Sequence, residues 1–129
     1  MSPALSRRIA AAMIALAGLI HLLLVSEYLE EKAYIGVLFI VSVPLCALVA
    51  LRLWRRDDAV AWALGAAVSA GMAVAFVVSR TVGLPGFDES GEWELSGLAS
   101  VAVELVFVAL AARALVVPDK PEVPRPVSV

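Results

Sequence analysis

The chain has 129 residues, 62% hydrophobic and 17% charged, whereas ordinary soluble domains are roughly 45–50% apolar. A single water-soluble domain could not bury that much apolar side chain, so the excess has to face lipid. A net charge of −2 without a basic, aromatic-interleaved cluster excludes nucleic acid as the expected partner, and the lone Cys46 excludes an internal disulfide or an all-cysteine metal site.

Four segments approach the roughly 20 apolar residues needed to cross a hydrocarbon core, over about residues 9–26, 34–53, 60–79 and 95–117. The expected fold is therefore all-α, a four-helix transmembrane bundle occupying residues 1–117. Short connections make consecutive helices antiparallel neighbours. In the first segment, Arg7 and Arg8 precede an apolar run as in a signal peptide. No small-x-small cleavage pattern follows Val25, and three further spans come after, so this segment reads as a retained helix. It ends in "GLIHLLLVSEYLEE", where His21 sits within the apolar run and Glu27, Tyr28, Glu30 and Glu31 close it.

The second span carries Pro44, which frees a backbone carbonyl that Ser42 or a neighbouring helix is expected to satisfy. The third offers small residues at helical spacing, Gly65, Ser69 and Ala73 on one stripe and Ala67, Gly71 and Ala75 on another. "GMAVAFVVSR" (71–80) weakly echoes "GLIHLLLVSE" (18–27), which sets Arg80 against Glu27 as an expected ion pair between two similar hairpins. The loop "RTVGLPGFDESGEWE" follows, with sharp bends at Gly83, Pro85 and Gly86, then an acidic stretch that fits no calcium loop. In the fourth span Ser96, Ser100 and Glu104 recur at every fourth position. Residues 118–129 contain four prolines and no apolar periodicity, and are expected to form a disordered cytoplasmic tail.

Orientation follows from Lys and Arg. With alternating spans, Arg7, Arg8, Arg52, Arg55, Arg56, Arg113, Lys120 and Arg125 share one side, and only Lys32 and Arg80 lie on the other. Both termini are thus expected in the cytoplasm, in a multi-pass protein of the inner (plasma) membrane. The preference for Arg over Lys, with abundant Ala, Val and Leu, suggests a GC-rich bacterial genome.

Ionisable groups within a membrane cost at least ~2.5 kcal/mol each on insertion scales, and so face the bundle interior and usually act there. From the helical rise, His21 lies roughly 8 Å below the outer surface and Glu104 roughly 13 Å below it. Arg80 ends the third span just above them. His21, Arg80 and Glu104 therefore form the expected polar cluster, open towards the outer face, with Glu27, Glu30 and Glu31 as an acidic outer rim. Three readings follow. Glu104 locks the bundle through Ser100, His21 or Arg80; or His21 and Glu104 relay protons in a small transporter; or His21 with Glu104, Glu27 or Glu30 holds a transition metal. The metal reading is the weakest, because imidazole ligands usually come in numbers and this chain has one histidine. No metal or cofactor is assigned.

"HLLLVSEYLEEKAYIGVLFI" (21–40), "SRTVGLPGF" (79–87) and the mid-helix Glu104 resemble a group of small four-helix bacterial integral membrane proteins. In that group a second histidine commonly stands where this chain has Tyr28, and Gly36 and Phe39 match its following Gly and Phe. The resemblance implies that the 80–85 turn belongs to the functional side of the bundle, and it brings no activity.

No nucleophile–base pair, phosphate loop or HExxH site is present, so no enzyme activity is expected. The leading expectation is an accessory or structural subunit, in a homo-oligomer or a larger membrane complex, with the lipid bilayer as its certain partner. The competitor is a small proton-coupled transporter or ion-binding protein that uses His21 and Glu104.

Overall fold

A computed structural model of the protein describes residues 1–117 and 126–128. The expected tail from residue 118 onward lies, apart from residues 126–128, outside the described residues. The chain is all-helical, with α1 (Pro3–Glu31), α2 (Ala33–Arg55), α3 (Ala59–Arg80) and α4 (Leu95–Val116). All four helices are long and apolar enough to cross a membrane.

Local sequence fixes where each helix starts and stops. Helix α1 reaches beyond the expected apolar span at both ends, because Ser2 caps it by accepting from Leu5 N–H and Pro3 occupies its first turn. Its last turn carries Glu27, Glu30 and Glu31, polar but good helix formers. A single extended residue, Lys32, breaks α1 from α2. Arg7 donates to the carbonyls of Leu53 and Trp54 at the end of α2, where helical acceptors lack partners. Asp58 caps α3 by accepting from Val60 N–H at 3.1 Å and Ala61 N–H at 3.2 Å. These bonds, with the Arg52 and Arg56 side chains, hold its carboxyl below the usual range. Pro44 is accommodated within α2, but the expected help from Ser42 goes elsewhere: its hydroxyl donates to the Phe39 carbonyl at 2.7 Å, one residue short of the carbonyl that proline frees.

The helices pack in the ring order α1–α2–α3–α4, with α1 and α2 touching most and α2 and α3 least. One core joins Ala10 and Ile14 of α1, Val49 and Leu53 of α2, Trp62 of α3 and Phe107 of α4; this end is called the terminal end. A smaller cluster at the opposite, loop end joins Tyr28, Ile35 and Phe87. Large apolar side chains such as Leu23, Val74, Leu105 and Val116 are more than half exposed around the outside. Such a surface is stable against hydrocarbon and costly against water.

Because lipid tails are as apolar as leucine, the bundle depends on close contact through small residues. Gly65, Ser69 and Ala73 are all buried. A Cβ added at Gly65 would lie 2.4 Å from Phe107 Cζ and 2.9 Å from Val49 Cγ1, so three helices meet on this glycine. The second stripe, Ala67, Gly71 and Ala75, is exposed, and Gly71 has open space before it. Phe107 is fully buried and cannot give way. Gly65→Ala is therefore expected to destabilise the bundle by about 1–3 kcal/mol through overpacking, while Gly71→Ala leaves stability within about 0.5 kcal/mol. Thermal unfolding of the two variants in detergent checks this contrast.

Candidate functional site

The loop between α3 and α4 closes the loop end of the bundle. In Leu84–Pro85–Gly86–Phe87, proline presets the first turn position and Gly86 supplies φ +64° at the second, the pattern of a type II turn. Leu84 and Phe87 exchange backbone hydrogen bonds at 2.7 and 2.9 Å. The turn aims Phe87 inward onto Tyr28, 5.8 Å between ring centroids, and Tyr34 Oη donates to the Pro85 carbonyl at 2.6 Å. Glu89 N–H and Gly91 N–H then donate back to the Ser79 and Arg80 carbonyls at the end of α3.

Arg80 ties this cap together. Only 3% exposed, it donates to the Glu92 carbonyl (2.9 Å), Ser79 Oγ (2.7 Å), Tyr28 Oη (3.0 Å) and Glu94 Oε2 (2.7 Å), and it lies 4.4 Å from the Phe76 ring centroid. The acid that pairs with Arg80 is thus Glu94, not the expected Glu27. Neither His21 nor Glu104 bonds to Arg80 among the described residues. The expected cluster separates into two layers. Arg80, with Tyr28, Ser79 and Glu94, forms the upper one; the sequence contained all these residues, but only the path of the loop shows that they meet.

His21 and Glu104 form the lower layer. The imidazole Nδ1 lies 2.8 Å from the Ala17 carbonyl. A carbonyl only accepts, so Nδ1 carries the hydrogen and, in the neutral ring, Nε2 keeps a lone pair. Nε2 faces Glu104 Oε1 at 3.9 Å, too far for a hydrogen bond. Ser100 Oγ donates to the same Oε1 at 2.6 Å. Glu104 is 1% exposed, and its Oε2 has no hydrogen-bond partner among the described residues. The Phe39 ring packs on both layers, 4.6 Å from the centroids of His21 and Tyr28.

Between the layers lies a cavity of about 340 Å³, with His21, Glu104 and Ser42 deep in its wall and Arg80 and Phe87 at the loop end. Its remaining lining is almost entirely apolar. Leu38 and Val41 of α2 and Ala67, Gly71 and Ala75 of α3 line it too, although all five are exposed on the outside of the bundle. The cavity therefore opens sideways between α2 and α3, where these helices have parted.

Glu27, Glu30 and Glu31 are all exposed, and none joins His21 in a ligand set. His21 and Glu104 remain as two ligating side chains without a third from this rim. The acids that do converge are Glu89, Glu92 and Glu94 of the loop, and Glu94 is already held by Arg80. Comparison with protein-family models, curated proteins and solved structures finds no match for this chain.

The loop acids have a consequence for stability. A hydrogen bond with Glu92, together with desolvation and nearby Glu31, raises the Glu89 carboxyl from 4.5 to about 7. Two carboxyls can share a hydrogen bond only while one holds a proton. Between these values the folded chain binds more protons than the unfolded chain, so stability is highest on the acid side and falls as pH rises through about 7. The melting temperature in detergent is expected to drop between about pH 5 and about pH 8, and Glu89→Gln, which keeps a hydrogen-bond donor, to reduce that drop.

Proposed function

We propose that this chain is a small plasma-membrane protein whose His21–Glu104 pair exchanges a proton and binds a small molecule in the adjoining cavity, as a proton-coupled carrier would. The observation that carries this reading is the unpartnered Glu104 Oε2, buried in the cavity wall beside a histidine lone pair. A group that only locked a bundle would have its acceptors filled, as every guanidinium nitrogen of Arg80 has an acceptor. Nε2 and an ionised carboxylate are both acceptors, so facing each other they are stable only with a hydrogen on one of them. That hydrogen is exchangeable.

The placement in the membrane belongs to the same proposal. The start of α1, end of α2, start of α3 and end of α4 share one core, which supports antiparallel neighbours. The excess of Arg at that end supports cytoplasmic termini. A bacterial host and a place among the small four-helix membrane proteins that the chain resembles fit the composition. The accessory-subunit reading would use the exposed Ala67, Gly71 and Ala75 stripe as a helix-docking face, but the same stripe forms the mouth of the cavity.

Glu104→Gln separates a working group from a lock. If Glu104 exchanges protons, infrared difference spectra between about pH 5 and about pH 8 contain a protonated-carboxyl band that this variant lacks, and its melting temperature stays close to wild type. A lock predicts no such band, and Glu104→Leu, which removes the acceptor of Ser100 Oγ, then costs about 1–3 kcal/mol.

A further inference from the structure

The cavity joins an apolar body, a sideways mouth and a cluster of acceptors, and together these describe what fits inside. We propose that it takes a primary organic ammonium with an apolar tail, which enters from the bilayer between α2 and α3 and displaces the proton held by His21 and Glu104. The proposal rests on the proton-exchange reading above and adds the ligand's class and route.

The route follows from where the helices touch. At the terminal end α2 and α3 are held by Val49 against Gly65, and at the loop end Leu84 and Phe87 line the roof. Between these closures Leu38 and Val41 face Ala67, Gly71 and Ala75, side chains too small on the α3 side to seal the gap. The mouth therefore opens at hydrocarbon depth, where a molecule already dissolved in the bilayer can enter without crossing water. The volume of about 340 Å³ is at the lower end for ligand sites, enough for a chain of moderate length.

The head group follows from the polar atoms. His21 Nε2 and Glu104 Oε1 and Oε2 are acceptors, and only Oε1 has a partner, Ser100. A primary ammonium brings three donors to this set, and the Phe39 ring beside His21 lines the same cavity. Charge points the same way. The other ionised group on the cavity wall, Arg80, is balanced by Glu94 at 2.7 Å. Glu104 is left as the one unbalanced charge among the described wall residues once its proton leaves. A monocation restores neutrality, whereas an anionic head would face a carboxylate in a medium with little screening.

Proton and cation then compete for one site. As the ammonium binds, a single O–H bond at Glu104 (or N–H bond at Nε2) breaks and the proton is released to the aqueous phase. The carboxylate is left paired with the ammonium, and nothing is oxidised or reduced.

The test uses the full chain in lipid nanodiscs, titrated calorimetrically with octylammonium, octanol and octanoate after subtraction of empty nanodiscs. Repeating it in buffers of different ionisation enthalpy counts the protons released. Octylammonium is expected to saturate one site and release about one proton. Octanol, lacking the charge-assisted bonds, is expected to bind at least about tenfold more weakly, and octanoate not to saturate. Gly71→Phe projects a ring into the mouth from a position with open space. It should weaken octylammonium at least about tenfold while leaving the Glu104 carboxyl band in place. Equal binding of octanol, octylammonium binding without proton release, or undiminished binding in Gly71→Phe overturns the proposal. If the carboxyl band titrates but octylammonium never saturates, the ligand class falls and the proton-exchange reading stands.

Discussion

Hydrocarbon offers no hydrogen-bonding partner, and that constraint orders this structure more than any single contact. Polar atoms in the bundle must find partners within the chain. Ser42, Ser79 and Thr81 donate to carbonyls of their own helices, and Arg80 spreads its donors over Tyr28, Ser79, Glu92 and Glu94. Among the described residues two buried side-chain atoms are left without a partner, Ser69 Oγ and Glu104 Oε2. Of the two residues, Glu104 is the one that lines the cavity.

The two polar layers therefore divide the work. The Arg80 layer has a partner at every guanidinium nitrogen and joins α1, α3 and both ends of the 81–94 loop, so it builds the roof. In the His21–Glu104 layer, Ser100 and the Ala17 carbonyl fix the orientation of the two groups without filling their acceptors. A fixed orientation with free acceptors is what a binding group needs, because the geometry is set before the ligand arrives. Packing supports the same division. Gly65 lets three helices converge tightly below the cavity, and the small residues two positions further along α3 leave the opening at its side.

Much of this could be read from the residues, for reasons that are physical. The apolar runs are long because bilayer thickness demands it, which is why each of the four helices contains one of those runs. Fixed helical rise set His21 and Glu104 at comparable depths, and in the structure Nε2 and Oε1 lie 3.9 Å apart. Rise does not determine rotation, however. The partner of Arg80 depends on how the 81–94 loop doubles back through Gly83, Gly86 and Gly91, each at positive φ. Residue spacing alone pointed instead to Glu27, which faces outward. The cavity was hidden for a related reason: it arises from the parting of α2 and α3. Ala67, Gly71 and Ala75, which read as a packing seam, line that opening. Ser42 shows the same limit at short range, since its hydroxyl reaches one carbonyl before the one that Pro44 frees.

The central claim is that His21 and Glu104 share an exchangeable proton, and the single histidine makes it directly measurable. Labelling histidine alone with nitrogen-15 gives an imidazole spectrum that needs no assignment. The account predicts a neutral ring with hydrogen on Nδ1 and a bare Nε2 at high pH. It also predicts that the Nε2 signal shifts on acidification, and that Glu104→Gln displaces this transition. An imidazole spectrum that ignores both pH and the loss of the carboxylate would contradict it, leaving the pair as two neighbours in a static bundle.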